Sequence, residues 1–444
     1  MPDLRDFLTE AERNHNLVRI KKEVSPRYEA AAIIKHFDNG PIVYLENIIG
    51  HKMPAVGNVT GNKQNLYRAL KIGAESFYER VLSALRTPTR PKIVQDGPVK
   101  QLIEEPRLTK LPILTHYEKE PGPYINSSIV FARSPDGKIE NASVHRLMVL
   151  DDKHAAIRIV PRHLYRLLQM AKQGGKPLDV SVTIGVHPAV MVAAASPPPF
   201  GVSEFDVANS LMDGQLKLIQ CETVDAFAPS EAEIVLEGRI LADKTVLEGP
   251  YVDLLGTYDA VRNEPVVEFT RMLRRRDAVY HALLAGGSEH KILMGVTKEA
   301  KIWEVVRNVV PRVTGVNMSN GGCGWLHAIV SVEKQTEGDG KNVILAAFAA
   351  HPSLKHVFVV DSDIDVNNPE EVEWAMATRF RGDRDILVIP NARGSSLDPV
   401  GDPATATVTK VGFDLTRPFT KPKESFEKGL IPNEKETVQR ILGK

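Results

Sequence analysis

The hydrophobic and polar positions divide the chain into three regions with different periodicities. In residues 1–115, segments with a helical repeat of apolar positions alternate with strand-like segments, which predicts an N-terminal α/β domain. The predicted helices are 3–14, 30–37, 64–70 and 76–85, and the predicted strands are 18–24 and 41–45. The stretch 86–123 is rich in proline and charge and is predicted to connect this domain to the next.

Residues 116–300 show mainly the pattern of β-strands, with turns such as Ser134-Pro135-Asp136-Gly137 between them. The predicted strands are 125–133, 142–150, 155–160, 179–185, 216–222, 232–240 and 266–273, and helices are predicted at 163–173 and 204–212. Many short strands with few helices predict a split β-barrel-like domain.

Residues 301–444 return to an alternation of helices and strands, which predicts a C-terminal α/β domain. The predicted helices are 302–309, 342–350, 369–380 and 435–442, and the predicted strands are 327–332 and 356–360. The last of these helices is charged and terminal, and we expect it to pack on a partner subunit. The predicted fold class is therefore α/β (α+β) in three domains, 1–115, 116–300 and 301–444.

Composition limits the classes of function. Hydrophobic residues make up 43% and charged residues 25% of the 444 positions, and the 56 basic residues balance the 56 acidic ones. A net charge of zero argues against a nucleic-acid or anionic-membrane partner. No apolar run reaches membrane-spanning length, and two cysteines, Cys221 and Cys323, fit a reducing compartment. We expect a cytoplasmic protein.

Several familiar motifs are absent or incomplete. The sequence has no HExxH, GxSxG, GxGxxG or Walker pattern. The aspartates at 361, 363 and 365 resemble the start of a calcium loop, but Val366 and Val372 occupy the positions that need glycine and glutamate. The run Arg274-Arg275-Arg276 follows a strand and predicts a solvated sheet edge.

Two carboxylates, Glu248 and Asp253, flank a Gly249-Pro250 pair and are followed by apolar residues. Glycine and proline favour a bend here, and a bend can direct both carboxylates into one cavity. An acid in a dry cavity has a raised pKa and can deliver a proton. The alternative is a surface turn with two solvated acids.

A second set of residues has the chemistry of metal ligands. Asn141, His163 and Glu204 offer an amide oxygen, an imidazole and a carboxylate, a set that suits Mn²⁺ or Mg²⁺ better than zinc or copper. A hard ion with few protein ligands completes its coordination with phosphate and water.

Several motifs in one order carry a family resemblance. The stretches 141–163, 231–238, 248–253, 363–366, 369–372 and 375–379 resemble the UbiD family of decarboxylases, in a collinear match over roughly residues 1–400. The resemblance implies a central flavin-binding domain with prenylated flavin mononucleotide (FMN), whose phosphate is held by a Mn²⁺-type ion with K⁺ nearby. It implies that Asn141, His163 and Glu204 are the metal ligands.

The resemblance also implies the catalytic and cofactor-binding residues. Arg146, Glu248 and Asp253 match the family's catalytic network, with Asp253 in place of a glutamate that is one methylene longer. The implied flavin-contacting residues are Asn126, Ser127, Val144, His145, Arg146, Arg162, Ala195, Ser196 and Pro197, with Lys334 as the phosphate-contacting lysine.

Decarboxylation at an sp² carbon explains why these residue types are needed. The carbanion needs a cofactor as electron acceptor, Arg146 can hold the substrate carboxylate, and Asp253 is the expected proton donor. The expected partners are an aromatic, heteroaromatic or α,β-unsaturated acid, CO₂ and a flavin prenyltransferase that supplies the cofactor, and the expected assembly is a homodimer or homohexamer. Leu255, residues 289–293, Trp325 and Phe380 are expected around the substrate.

Two other functions stay open. One is a non-catalytic subunit that scaffolds a larger carboxylase, although such a subunit needs no intact Arg146, Glu248 and Asp253 set. The other is a flavin-free, metal-dependent hydrolase that uses Glu204 and His163.

Overall fold

The N-terminal region of the computed structural model, which describes residues 3–402 and 404–443, alternates helices and strands as predicted. Its elements are α1 (Leu4–Arg13), β1 (Leu17–Ile20), α2 (Glu29–His36), β2 (Ile42–Leu45), β3 (Ala55–Gly57), α3 (Lys63–Leu70) and α4 (Phe77–Arg86). Helix α1 begins with a capping box in which the side chains of Asp3 and Asp6 each accept the other's backbone N–H. Its apolar face is buried, which anchors the start of the chain.

The central region consists mainly of strands. Its elements are β4 (Lys92–Val94), β5 (Leu102–Glu104), β6 (Tyr124–Arg133), β7 (Glu140–Val149), β8 (His154–Ile157), α5 (His163–Gln173), β9 (Leu178–Ile184), α6 (Pro188–Ala195), α7 (Glu204–Leu211), β10 (Lys217–Gln220), β11 (Phe227–Pro229), β12 (Ile234–Glu248), β13 (Tyr251–Val252), β14 (Tyr258–Asp259), β15 (Arg262–Arg274) and β16 (Tyr280–His281).

The C-terminal region forms the second α/β unit. Its elements are α8 (Ser288–Val306), β17 (Val313–Met318), β18 (His327–Val332), α9 (Asp339–Ala350), β19 (His356–Asp361), α10 (Pro369–Arg379), β20 (Ile386–Arg393), β21 (Thr407–Asp414) and α11 (Glu434–Leu442). The five strands form one mixed sheet in the order β17-β18-β19-β21-β20.

A closed barrel of six strands lies at the centre of the molecule. The strand order is β12-β9-β6-β7-β8-β15, and antiparallel pairing of β12 with β15 closes the ring. Closure leaves these strands without a free edge. The predicted barrel-like domain is therefore confirmed.

Alternation along the barrel strands divides the core between two faces. On β6, Val130 and Ala132 belong to a buried cluster shared with the N-terminal domain, whereas Ile129 and Phe131 pack with α6 and α7. When other elements cover both faces of a strand, its residues are buried on both sides. Strand β6 is accordingly buried over most of its length.

The domains are joined more closely than the sequence pattern indicates. Strand β16 pairs in parallel with β3 and so completes the N-terminal sheet, and β4 and β5 of the expected connection pair with β10 and β15. Helix α8 runs through residue 300, where the boundary to the C-terminal domain was expected.

Some predicted elements are wrong in extent. The helix expected at 302–309 begins at Ser288, because α8 has buried residues on most of its sides and no side-chain N-cap, so its amphipathic signal is weak. The strand expected at 18–24 is only β1, Leu17–Ile20. Strands β17, β20 and β21 and helix α6 were not predicted.

Arg275 corrects the interpretation of the arginine run. Its side chain is buried and forms ion pairs with Asp3, Glu231 and Glu233. The middle residue of the run therefore ties the N-terminus to the end of β15 and is not a solvated edge.

Of the helices in the described residues, none combines the length and apolarity needed to cross a membrane.

Candidate active site

Strand β7 supplies residues to both expected sites. Asn141, Ser143 and His145 are spaced by two, so their side chains share a strand face. The Ser143 hydroxyl lies 2.9 Å from Asn141 Oδ1 and 2.9 Å from His145 Nε2. Arg146, the next residue, begins the second group of polar contacts.

Arg146 is the centre of a buried ionic network. Its Nε and Nη2 donate to the two oxygens of Glu248, each at 2.9 Å, and its Nη1 donates to Asp253 Oδ2 at 2.9 Å. The ring of Tyr251 lies 4.1 Å from the guanidinium carbon and covers one of its faces. These contacts hold the guanidinium plane in one orientation.

The bend after β12 brings the acids together. Gly249 has φ +98°, a conformation that L-residues with a side chain rarely adopt, and the chain then turns back into β13. Glu248 and Asp253 consequently approach the same guanidinium from two sides. The alternative of two solvated acids is excluded for Glu248, whose exposed fraction is 0%.

Asp259 is a third acid at Arg146, and the sequence analysis missed it. Its Oδ2 lies 3.3 Å from Arg146 Nη2 and 2.6 Å from Arg262 Nη1. Burial raises the pKa of Asp259, but the Arg262 hydrogen bond and the Arg146 charge outweigh that effect and hold it below its usual range. The Gly256 turn between two short β-like segments is the sequence signal that marks this hairpin.

The three acids differ in their access to solvent. The exposed fraction of the side chain is 0% for Glu248, 13% for Asp259 and 24% for Asp253. Asp253 also accepts a hydrogen bond from the backbone N–H of Leu254, at 2.6 Å. Asp253 is therefore the acid of the network that a small molecule in the cleft can reach.

The three expected metal ligands meet at the other end of β7. Asn141 Nδ2 donates to Glu204 Oε1 at 2.8 Å, the backbone N–H of Ala142 donates to Glu204 Oε2 at 2.7 Å, and His163 Nδ1 lies 3.8 Å from Glu204 Oε1. His163 and Glu204 are the first residues of α5 and α7.

The environment of the Glu204 carboxylate favours a bound cation. It is buried, no lysine or arginine forms an ion pair with it in the described part of the chain, and burial raises its pKa. The neighbouring Ser203 hydroxyl is also buried without a hydrogen-bond partner there. Among the described residues no group of three or more His, Cys, Asp and Glu is arranged for a metal, and the three side chains here include only two of those residue types together with the Asn141 amide.

A bulge in β6 lies opposite Arg146 of β7. The register of β6 against β7 shifts between Ile125 and Ser128, which takes the intervening Asn126 and Ser127 out of the regular pairing. The Asn126 side chain accepts from Tyr251 and donates to the Leu283 carbonyl, and the Ser127 hydroxyl donates to the His281 carbonyl. Both side chains are therefore fixed, and their backbone groups are outside the regular pairing with β7.

The other expected flavin contacts lie around this opening. His145 has its Nδ1 2.9 Å from the Arg158 carbonyl, and burial lowers the pKa of its imidazole to about 4, so the ring is neutral. Val144 is half-buried and Arg162 is exposed. Ala195, Ser196 and Pro197 follow one another at the end of α6.

Lys334 is not brought to this group. It lies beyond the end of β18, where its ammonium is 2.8 Å from Glu337 and 4.6 Å from the centre of the Phe419 ring. No hydrogen bond or ion pair in the described residues joins it to the barrel.

Helix α8 contributes to the pocket near Asp253. The backbone N–H of Gly286 donates to His290 Nδ1 at 3.2 Å, and the charges of Asp253 and Arg146 both act on that imidazole, whose pKa burial lowers. Cys323 approaches the Leu255 carbonyl, which places the segment before Trp325 against the same turn. Phe380 instead packs on Phe413 in a cluster of the C-terminal sheet.

Comparison with known protein families defines the class. Three models match, those of the N-terminal, Rift-related and C-terminal domains of 3-octaprenyl-4-hydroxybenzoate carboxy-lyase, at residues 8–85, 92–288 and 291–415. Together they cover most of the chain and describe an enzyme that cleaves a carboxyl group from its substrate. The chain belongs to the UbiD family of carboxy-lyases.

Relatives are similar over nearly the whole chain. Anhydromevalonate phosphate decarboxylase of Methanothermobacter thermautotrophicus is 45% identical over 96% of this chain and 99% of its own. The UbiD-class enzyme HmfF from Pelotomaculum thermopropionicum, solved in complex with FMN, superimposes with a TM-score of 0.95 at 39% identity, covering 98% of both chains. An evolved dimeric form of HmfF with prenylated FMN gives 0.91 at 36% identity, again over 98% of both.

Proposed function

We propose that this protein catalyses the reversible, non-oxidative decarboxylation of a phosphorylated α,β-unsaturated acid with prenylated FMN. The observation that carries the proposal is the Arg146 guanidinium, which Glu248 and Asp253 hold opposite the bulge of β6. Solved relatives hold FMN or prenylated FMN, which supports a flavin in the same barrel. When bound, the prenylated flavin accepts the electron pair that remains after CO₂ leaves.

The cofactor would be held by the residues around the bulge and by a metal. Asn141, His163 and Glu204 would bind Mn²⁺ or Mg²⁺, with K⁺ as a possible second ion, and the metal would neutralise the flavin phosphate. The buried Glu204 carboxylate, which has no lysine or arginine partner in the described residues, supports a cation at this place. The proposed flavin contacts are Asn126, Ser127, Val144, His145, Arg146, Arg162, Ala195, Ser196 and Pro197.

Arg146 would bind the substrate carboxylate. Two guanidinium groups, Arg146 and Arg262, face the three carboxylates Glu248, Asp253 and Asp259, which leaves one negative charge uncompensated. A substrate carboxylate adds another, so binding favours uptake of a proton by one acid of the network. Asp253 is the most exposed of the three and is the residue that we assign as that acid.

The proton on Asp253 would then be transferred to the decarboxylated carbon. Once the substrate carboxylate has left as CO₂, the carbon that carried it needs a proton, and Asp253 would supply it from the Arg146 side of the cleft. Glu248 would stay ionised and keep Arg146 in place, because both its oxygens accept from that guanidinium.

The name of the similar proteins narrows the class of substrate that we propose. Anhydromevalonate phosphate is a five-carbon-chain unsaturated acid with a phosphate ester, and 45% identity over the full chain favours it over an aromatic acid. Loss of CO₂ from 5-phosphooxy-3-methylpent-2-enoate gives 3-methylbut-3-enyl phosphate. We include in the proposal a cytoplasmic location, a flavin prenyltransferase as cofactor supplier and assembly as a homodimer or homohexamer.

The test uses protein co-produced with a flavin prenyltransferase and supplied with Mn²⁺. We expect a prenylated flavin by mass and absorption, and conversion of 5-phosphooxy-3-methylpent-2-enoate to CO₂ and the alkenyl phosphate. An Arg146→Met variant prepared in the same way should be inactive on this acid. Matured protein that carries the flavin but converts no unsaturated or aromatic acid would support a scaffold role, and a flavin-free active protein would support a hydrolase.

A further inference from the structure

A group of basic side chains lies where the barrel meets the C-terminal domain. We call Arg162, Lys298 and His351 the basic cluster. The charge of Arg162 acts on both Lys298 and His351, and Lys298 lies 5.9 Å from the centre of the Trp325 ring, against which His351 also packs. The cluster therefore joins the start of α5, the middle of α8 and the end of α9.

The basic cluster has no acidic counterpart in residues 3–402 and 404–443. Neither Lys298 nor Arg162 forms an ion pair or a side-chain hydrogen bond there. The carboxylate of Asp398 is instead bound by Lys355 at 2.9 Å. Arg162 is exposed, but Lys298 is half-buried, and a partly buried lysine without a counter-anion is costly, which points to an anionic ligand.

Two further observations indicate a ligand. His351 Nε2 is buried without a hydrogen-bond partner among the described residues. Burial and the Arg162 charge lower the pKa of the half-buried Lys298 to about 8, and burial followed by the Lys298 charge lowers that of His351 to about 3. Lys410, the other cation near His351, is occupied by the carbonyls of Pro352 and Leu354.

The position along α8 fits a substrate with two anionic ends. The charges of Asp253 and Arg146 act on His290, which precedes Lys298 on α8 by eight residues, or about 12 Å of helix. The long side chains of lysine and arginine can span part of that distance. A short-chain acid with its carboxylate on Arg146 and its other anionic end on Lys298 would bridge these two parts of α8.

We propose that Lys298 and Arg162, with His351 behind them, form the subsite for the phosphate ester of the substrate. The inference deepens the proposed function and rests on it for the identity of the acid. A phosphate monoester presents several acceptor oxygens and up to two charges, which suit a lysine and an arginine without acidic neighbours. The metal at Asn141, His163 and Glu204 would serve the flavin phosphate, Lys298 would serve the substrate phosphate, and Arg162, which precedes His163 and is also a proposed flavin contact, would contribute to both.

The test compares three variants of the matured holoenzyme. Lys298→Met removes the charge and keeps the chain length, Lys298→Arg restores the charge, and Lys301→Met is the matched control, because Lys301 lies on the same helix with 54% of its side chain exposed. Steady-state rates are measured with the phosphorylated acid and with its unphosphorylated form. Flavin content and calorimetric binding of 3-methylbut-3-enyl phosphate are measured for each protein.

We expect Lys298→Met to keep its flavin and to weaken binding of the alkenyl phosphate and raise KM for the phosphorylated acid roughly 10- to 100-fold. The unphosphorylated acid should be turned over as by wild type, Lys298→Arg should recover most of the loss, and Lys301→Met should match wild type.

Two results would contradict the assignment of this phosphate subsite. One is unchanged binding and KM in Lys298→Met, and the other is loss of flavin, which would assign Lys298 to the cofactor phosphate. If wild-type holoenzyme does not convert the phosphorylated acid, the proposed function fails, but calorimetry still decides the subsite. Binding that depends on Lys298 then supports it, and absence of binding to wild type refutes it.

Discussion

At the scale of single residues, Asp253 is distinguished from its acidic neighbours by its surroundings. It shares Arg146 with Glu248 and Asp259, but it alone has a substantially exposed side chain and lies beside His290. Its carboxylate is shorter by one methylene than the glutamate of the family pattern. The shorter side chain still reaches Arg146, with Oδ2 2.9 Å from Nη1.

Replacement of Asp253 tests the proton donor. Asp253→Asn keeps the shape and loses the titratable group, so we expect kcat to fall by roughly 10²- to 10⁴-fold. The flavin spectrum should stay that of wild type, and Asp253→Glu should retain part of the activity. A rate within a few-fold of wild type in Asp253→Asn would remove it from the mechanism.

The basic cluster leads to a second prediction at the residue scale, which concerns the pH dependence of kcat/KM. With the pKa of Lys298 lowered to about 8, the free enzyme loses this charge as the pH rises through that value, and kcat/KM for the phosphorylated acid should fall on the alkaline side. Arg162 stays cationic and His351 is neutral in this range, whereas burial also lowers the pKa of Lys410 to about 8, so Lys410 titrates together with Lys298. In Lys298→Arg the alkaline decline should move to higher pH, and an unchanged profile would contradict the assignment.

At the scale of elements, the hairpin of β13 and β14 positions Arg146. Tyr251 pairs with Asp259 across this hairpin, so one short element supplies the ring under Arg146 and an acid beside it. Arg262, which begins β15, fixes Asp259 from the other side. The hairpin therefore connects the closing strands of the barrel to the reaction centre.

Asp259→Asn tests this positioning role. The substitution weakens the contact to Arg146 without touching the substrate, and we expect roughly tenfold lower kcat with normal flavin loading and little change in KM. Asp243→Asn, at an exposed position of β12, is the control and should behave as wild type. Normal kcat in Asp259→Asn would show that Glu248 alone orients the arginine.

A second element-scale contact stabilises the C-terminal domain. Arg379 at the end of α10 is buried and donates to Asp361 and Asp363 at the end of β19. Arg379→Met leaves Asp361 buried beside fewer donors, and we expect the free energy of unfolding of this domain to fall by about 3 kcal/mol in chemical denaturation. Arg384→Ala, whose pair with Asp383 is 64% and 68% exposed, should change it by less than about 0.5 kcal/mol.

At the scale of the whole molecule, the chain from residue 430 onward forms no ion pair or side-chain hydrogen bond with the rest of the described residues, whereas Lys428 just before it pairs with Glu371. Helix α11 buries none of its residues, and Leu430, Ile431, Ile441 and Leu442 are largely exposed. Apolar side chains grouped on a surface in this way are typical of an interface.

Truncation after residue 429 tests this interface. We expect the truncated protein to form a smaller assembly than the full chain in light scattering after size-exclusion chromatography, with its flavin retained. The double variant Ile441→Ser, Leu442→Ser should shift the mass in the same direction. An unchanged mass in both would show that another surface carries the assembly.

The sequence by itself determined the types of most elements and the class of enzyme. Alternation of period two marked β6, β7 and β9, helical spacing marked α1, α4 and α5, and collinear motifs indicated the UbiD family. It also selected Asn141, His163 and Glu204, which the structure brings together, because ligand chemistry is a property of residue type. The roles of these residues remain proposals until tested.

Only the tertiary structure decided which distant residues meet. The barrel closes by pairing of β12 with β15, Asp259 reaches Arg146 through a hairpin, and Lys298 joins Arg162 from another domain, whereas Lys334 binds Glu337 instead. Periodicity indicates whether a side chain faces the core or the solvent. It does not indicate which element packs against that buried face. Proximity between residues more than a hundred positions apart depends on the path of the chain, which the packing of all the elements determines together.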